Sequence, residues 1–191
     1  VLAFTNAVQD AAHQAGFIES RNYRFTLRSS IQKVLGDFTA PVPLSDFTEA
    51  FIAHWRSHSD EGGAEHEEAY YHRFFPKDRV GRSRPGDYKT SKGYIPAFSE
   101  EFDRRVRWEV ASEFGYDALV GRTLEKTGCA GVAFDADRIA TALEAMVPWR
   151  EENMQPGQVD DTGLLAFVHL LLHRVRTRTA YEHPYLARYR E

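Results

Sequence analysis

The 191-residue chain predicts an all-α fold, a single helical domain over 1–191 with seven or eight helices, one long basic loop and at most one short strand. Three observations predict it. Apolar residues recur at i, i+3 and i+4 through most of the chain, which is the helical period. Proline and glycine are concentrated at a few places, so the segments between them are long enough to pack as helices. Just one stretch, "CAGVAF" at 129–134, reads as a buried strand. Hydrophobic residues at 42% and charged residues at 27% suit a globular protein and argue against wholesale disorder.

The elements follow in order. Residues 4–15 and 25–38 read as two short amphipathic helices, the second with Leu27, Ile31, Val34, Leu35 and Phe38 on its apolar face. "TAPVP" breaks the pattern, because Pro41 and Pro43 disfavour helix. Ser45 is a suitable N-cap for a helix to about His58, which "SDEGG" ends. A further helix is expected over 64–75, closed by Pro76. Residues 76–97 carry Pro76, Pro85-Gly86, Gly93 and Pro96, which predict an extended loop with room for a short hairpin. Ser99 then caps a charged helix to about Phe114, anchored by Phe102, Val106, Trp108, Val110 and Phe114. Helices are expected at 117–126 and 136–147, with "PWREENMQPGQ" as a loop. The last helix starts at Asp160, Asp161 or Thr162 and runs to about Tyr181.

Charge is distributed unevenly. The net charge is −4, yet residues 73–92 hold Arg73, Lys77, Arg79, Arg82, Arg84, Lys89 and Lys92 against Asp78 and Asp87. Tyr70, Tyr71, Phe74, Phe75, Tyr88 and Tyr94 flank or interrupt that segment. Cations neutralise phosphate and aromatic faces stack on bases, so this composition predicts RNA or DNA binding. The expected contacts are Arg79, Arg82, Arg84, Lys89 and Lys92, with Tyr88 stacking. An Arg-rich C-terminus, with Arg174, Arg176, Arg178, Arg188 and Arg190, would add to the same positive face. A plainer expectation competes with it: Asp60, Glu61, Glu65, Glu67 and Glu68 lie just upstream and could absorb the same cations. An acidic protein is the third expected partner. The Walker spacing of a phosphate-binding loop is missing.

Two histidine pairs have helical spacing: His54 with His58, and His169 with His173. His54 and His58 share a stripe with Phe47, Phe51 and Trp55, and so are expected to face the core. Leu164, Leu165, Phe167, Val168, Leu170, Leu171, Leu172 and Val175 predict a central buried last helix, with His169 largely inside. Two such helices could offer imidazoles to a zinc, iron or nickel ion, which predicts a metal-dependent helical enzyme as the alternative function. "AHWRSH" and "VHLLLH" resemble the metal-holding stretches of DinB-type helical domains, which use one histidine on an early helix and an H-x-x-x-H pair on a later one; the candidate ligands here are His54, His58, His169 and His173. "HEEAYYH" at 66–72 has Tyr70 where a zincin helix needs its second histidine.

Within "RVRTRTAYEHPY", Arg178 and His183 are separated by four residues. This resembles the R-x4–6-H motif of HEPN domains, helical modules that often cleave RNA. The resemblance implies phosphate binding by Arg178 and acid–base work by His183, although Thr179 replaces the residue usual after the arginine. Cys129 in "TGCAGVAF" faintly resembles the nucleophile region of NlpC/P60-type peptidases, but Gly128 stands where an acidic residue is usual. A lone buried cysteine is the expected reading. One cysteine allows no internal disulfide, which suits a reducing cytoplasm. No apolar run approaches bilayer length, so no membrane association is expected. "VLAFTNAVQDAAHQAG" lacks a basic start and reads as helix rather than as a secretory signal.

Overall fold

A computed structural model describes residues 8–57, 66–75, 83–115, 123–155 and 160–177. The fold is all-α. Among the described residues there are seven α-helices, a single 3-10 turn and one two-stranded hairpin. The chain folds as two compact units, Val1–Ala111 and Ser112–Glu191.

In the first unit, α1 runs unbroken over Val8–Leu35 where the sequence suggested two helices. Gly16 lies in its interior. A helical glycine costs about 1 kcal/mol relative to alanine, which weakens a helix without ending it. Gly36 closes the helix, its N–H donating to the Gln32 carbonyl at 3.1 Å. Helix α2 covers Leu44–Ser57 and α3 covers His66–Phe74. Ser45 is not the cap: it lies inside α2, whose first turn is closed by the Phe47 N–H on the Pro43 carbonyl at 2.9 Å. Helix α4, Pro96–Gly115, likewise begins before the expected Ser99, with proline at its first position where no N–H is needed.

The apolar faces predicted for 25–38, for α2 and for α4 are largely buried. Leu27, Ile31 and Val34 of α1, Phe47, Phe51, Ile52 and Trp55 of α2, and Tyr70, Tyr71 and Phe74 of α3 are all buried. From α4 come Phe102, Val106 and Val110. The core is dominated by aromatic rings in tilted and edge-on contacts, such as Phe51 with Phe74 at 5.3 Å and Tyr71 with Phe102 at 4.9 Å. Each such pair contributes about 0.5–1.5 kcal/mol beyond its buried area. Arg107 adds a two-pronged ion pair from α4 to Glu49 of α2, at 2.6 and 2.8 Å.

The segment expected as a loop is structured where it is described. Pro85–Tyr88 forms a 3-10 turn, then β1 (Lys89–Thr90) and β2 (Gly93–Tyr94) pair antiparallel with Lys89 opposite Tyr94. Gly93 has φ +107°, which favours glycine at the turn exit.

The second unit holds the end of α4, α5 (Thr123–Lys126), α6 (Ala136–Asn153) and α7 (Asp161–Thr177). "CAGVAF" is not a strand: residues 130–135 are irregular, and Cys129 is exposed rather than buried. No strand pairs with it among the described residues, so its apolar run has no ladder to join. Helix α6 also continues past its expected end at 147, carrying Pro148 inside it. Proline removes one hydrogen bond there, but the following turn recovers, with the Met154 N–H on the Arg150 carbonyl at 2.9 Å. Asp135 caps α6 through the Arg138 N–H, and Asp160 caps α7 through the Gly163 N–H at 2.7 Å. Among the described residues no helix is long and apolar enough to cross a membrane.

Candidate functional site

The basic hairpin is braced from beneath. Tyr88 lies flat on Phe98 of α4, ring centroids 4.3 Å apart and 7° from parallel. Tyr94 packs on Tyr71 at 4.4 Å and on Phe98 at 5.8 Å. The Ile95 N–H reaches back to the Tyr88 carbonyl at 2.9 Å, which clamps the base of the hairpin. At its tip the Thr90 hydroxyl donates to the Gly93 carbonyl at 2.8 Å and accepts from the Lys92 N–H at 3.2 Å. The Arg84 N–H donates to the Asp87 carboxylate at 2.6 Å, fixing the entry to the 3-10 turn.

This bracing sorts the cations predicted to meet phosphate. Lys89 is bound to Glu68 of α3, and that hydrogen bond holds the Glu68 carboxyl below the usual carboxylate range. Arg73 is half-buried, 4.1 Å over the Trp55 ring, with its Nε donating to the Ser30 hydroxyl. Tyr88 is committed to Phe98. Arg84 and Lys92 are exposed, and neither makes an ion pair among the described residues. Arg79 and Arg82 lie outside the described residues. Of the upstream acidic residues, Glu68 takes Lys89, and neither Glu67 nor Glu68 pairs with Arg84 or Lys92; Asp60, Glu61 and Glu65 lie outside the described residues.

Beside the hairpin lies a polar network that the sequence reading missed. Arg56 of α2 reaches the Asp103 carboxylate of α4 at 3.1 Å and donates to the Tyr71 hydroxyl at 2.9 Å. Tyr70 donates to Asp103 at 3.0 Å, and the Tyr71 hydroxyl lies 2.8 Å from Ser99 and 3.0 Å from Glu67. The guanidinium also sits over both tyrosine rings, at 5.5 and 5.8 Å. Burial pushes the Asp103 pKa up, against the opposing pull of Arg56. Burial also raises Tyr70 well above its ordinary value and Tyr71 to about 12. One signal could have found the network. Asp103 precedes Val106 by three residues and Val110 by seven, so a carboxylate sits on the apolar stripe of α4.

The histidine pairs do not present a ligand set among the described residues. His54 is mostly buried, edge-on to Trp55, with its Nδ1 3.5 Å from Asp37. His58 lies outside the described residues. His169 is exposed rather than inside a buried helix and lies against the Phe134 ring at 6.1 Å. His173 is exposed, with its Nδ1 2.9 Å from Arg176. Among the described residues no three His, Cys, Asp or Glu side chains come together to hold a metal ion. Arg178 and His183 lie outside the described residues. Arg176 is not an open cation: it forms a forked pair with Glu125 at 2.8 and 3.1 Å and donates to the Phe114 carbonyl.

Comparison with protein-family models, with curated proteins and with solved structures returns no match.

Proposed function

We propose that the chain binds nucleic acid through the hairpin segment, with Arg84 and Lys92 on phosphates. What supports the reading is one juxtaposition: two exposed cationic side chains, with no ion pair among the described residues, one at the tip of a hairpin and one at the 3-10 turn leading into it, where stacked rings pin the hairpin base. A pinned hairpin loses little conformational freedom on binding, so a charge contact made there is not offset by ordering of the backbone. Lys89 and Tyr88, predicted as contacts, instead hold the hairpin in place through Glu68 and Phe98. Arg79 and Arg82 extend the same basic run and are proposed as further phosphate contacts. The expected binding is electrostatic in the main, because Arg84 and Lys92 are placed as phosphate contacts and such contacts carry no sequence information.

Titration of labelled single-stranded RNA and DNA at low and at physiological salt tests the proposal. Binding that weakens steeply between the two conditions is expected. No binding at low salt ends it, and binding of acidic proteins alone transfers the hairpin to a protein partner.

A further inference from the structure

Among the described cations of residues 83–94, Lys89 differs from Arg84 and Lys92. Its ammonium is bound to the Glu68 carboxylate of α3 and lies 5.8 Å from the centre of the Tyr94 ring. The pair is open to water, with the Lys89 and Glu68 side chains 45 and 32% exposed. An ion pair so exposed is weak, because water screens both charges and two long side chains must be held in one geometry. The hairpin has other ties. The Ile95 N–H on the Tyr88 carbonyl and the Tyr88 ring on Phe98 close its base, and the Thr90 hydroxyl on the Gly93 carbonyl closes its tip. Glu68 has other support too. It sits in the first turn of α3, where free N–H groups and the helix dipole favour a carboxylate. Its second oxygen faces the His72 imidazole at 3.8 Å. Lys89 can therefore leave Glu68 without stranding the carboxylate or opening the hairpin.

Building on the hairpin's reading as a nucleic-acid surface, we propose that Glu68 is a competitor for phosphate held within the fold. It occupies Lys89 in the free protein, and a bound strand displaces it, bringing in Lys89 as a further phosphate contact. Lys89 lies between Arg84 and Lys92 in the chain, so a strand held by those two side chains presents further phosphates to Lys89 at high local concentration. Carboxylate and phosphate are both oxyanions, and the flexible four-carbon stem lets the ammonium turn from one to the other while the backbone stays in place. A lone anion has no such anchoring, whereas Glu68 is always adjacent. The device favours a polyanion over single anions and keeps the affinity of the free hairpin below what its cations could give.

Titration of a labelled single-stranded oligonucleotide over a series of salt concentrations tests the proposal, using the wild type, Glu68→Gln, Lys89→Gln and the double variant. Glu68→Gln should tighten low-salt binding about two- to fivefold, the scale of an exposed ion pair. Its log–log salt slope should steepen by about 0.7, because Lys89 then meets phosphate with no carboxylate to leave. On a Lys89→Gln background Glu68→Gln should lose most of both gains. An equal gain on that background overturns the proposal, since net charge alone would explain it. Hydrogen exchange at the Ile95 amide should stay protected in Glu68→Gln; lost protection overturns the proposal, because Lys89 is then needed as a brace. Wild-type binding that Glu68→Gln leaves equal or weaker overturns it as well, while the hairpin's role as a nucleic-acid surface stands. No low-salt binding by either the wild type or Glu68→Gln overturns both.

Discussion

Replacing Arg56 with methionine keeps most of the side chain's stem and removes its charge. The change strands Asp103, whose side chain is 12% exposed and whose cationic neighbour at 3.1 Å is then gone. Removing one partner of a fully buried pair costs about 3–5 kcal/mol, whereas an exposed pair is worth about 1 kcal/mol or less. Arg56 is 33% exposed, so the expected loss lies between, at about 2 kcal/mol. The loss also depends on pH, and its sign follows from the buried carboxyl. Burial already raises the folded-state pKa of Asp103, and losing Arg56 raises it further. An acid whose pKa is raised on folding binds more protons folded than unfolded, so stability falls as pH rises through the window between the two values. Arg56→Met is therefore nearly harmless below the ordinary carboxylate pKa and fully destabilising near neutrality. Urea unfolding at about pH 3 and about pH 7 measures the difference. On an Asp103→Asn background the neutral-pH cost should shrink to about 1 kcal/mol or less, reflecting lost hydrogen bonding to Tyr71 and contact with the two rings. Equal losses at both pH values, or no rescue by Asp103→Asn, would refute the charge argument.

Two further outcomes follow from the same unit. In an absorbance titration Tyr71 should ionise at about 12, and Tyr70 and Tyr23 should also ionise well above 10.0, because burial opposes their phenolates. Stability should accordingly fall as pH rises from 10.0 toward about 12, and full tyrosine ionisation near 10.0 in the folded protein would contradict the burial. Gly93→Ala should strain the turn exit at φ +107° by about 1–3 kcal/mol. Hydrogen exchange at the Ile95 amide, which clamps the hairpin base onto Tyr88, should then accelerate, and unchanged protection would show that the hairpin does not need this turn.

The all-α class and the core faces of α1, α2 and α4 were legible because period alone decides them. Leu27, Ile31 and Val34 can share one side of a helix, and they do. Long-range pairing was not legible. Glu68 and Lys89 are 21 residues apart, Tyr70 and Asp103 are 33 apart, and no local pattern links either pair. Tyr88 was expected to stack on a base for the same reason that it stacks on Phe98: an aromatic face takes whichever ring is nearest. The fate of α7 was also hidden. An apolar helix announces that it must be covered but not by what, and the described residues of its own unit leave Phe167 and Leu170 open.

The most direct test of the proposed function compares the salt dependence of nucleic-acid binding in the wild type and in an Arg84→Gln, Lys92→Gln double variant. Each phosphate contact contributes about 0.7 to the log–log salt slope on single strands and about 0.9 on duplex DNA. Loss of both side chains should therefore flatten the slope by about 1.4 on single strands and weaken low-salt binding, leaving the fold intact because neither side chain is buried. An unchanged slope would mean that phosphate is not met by this hairpin.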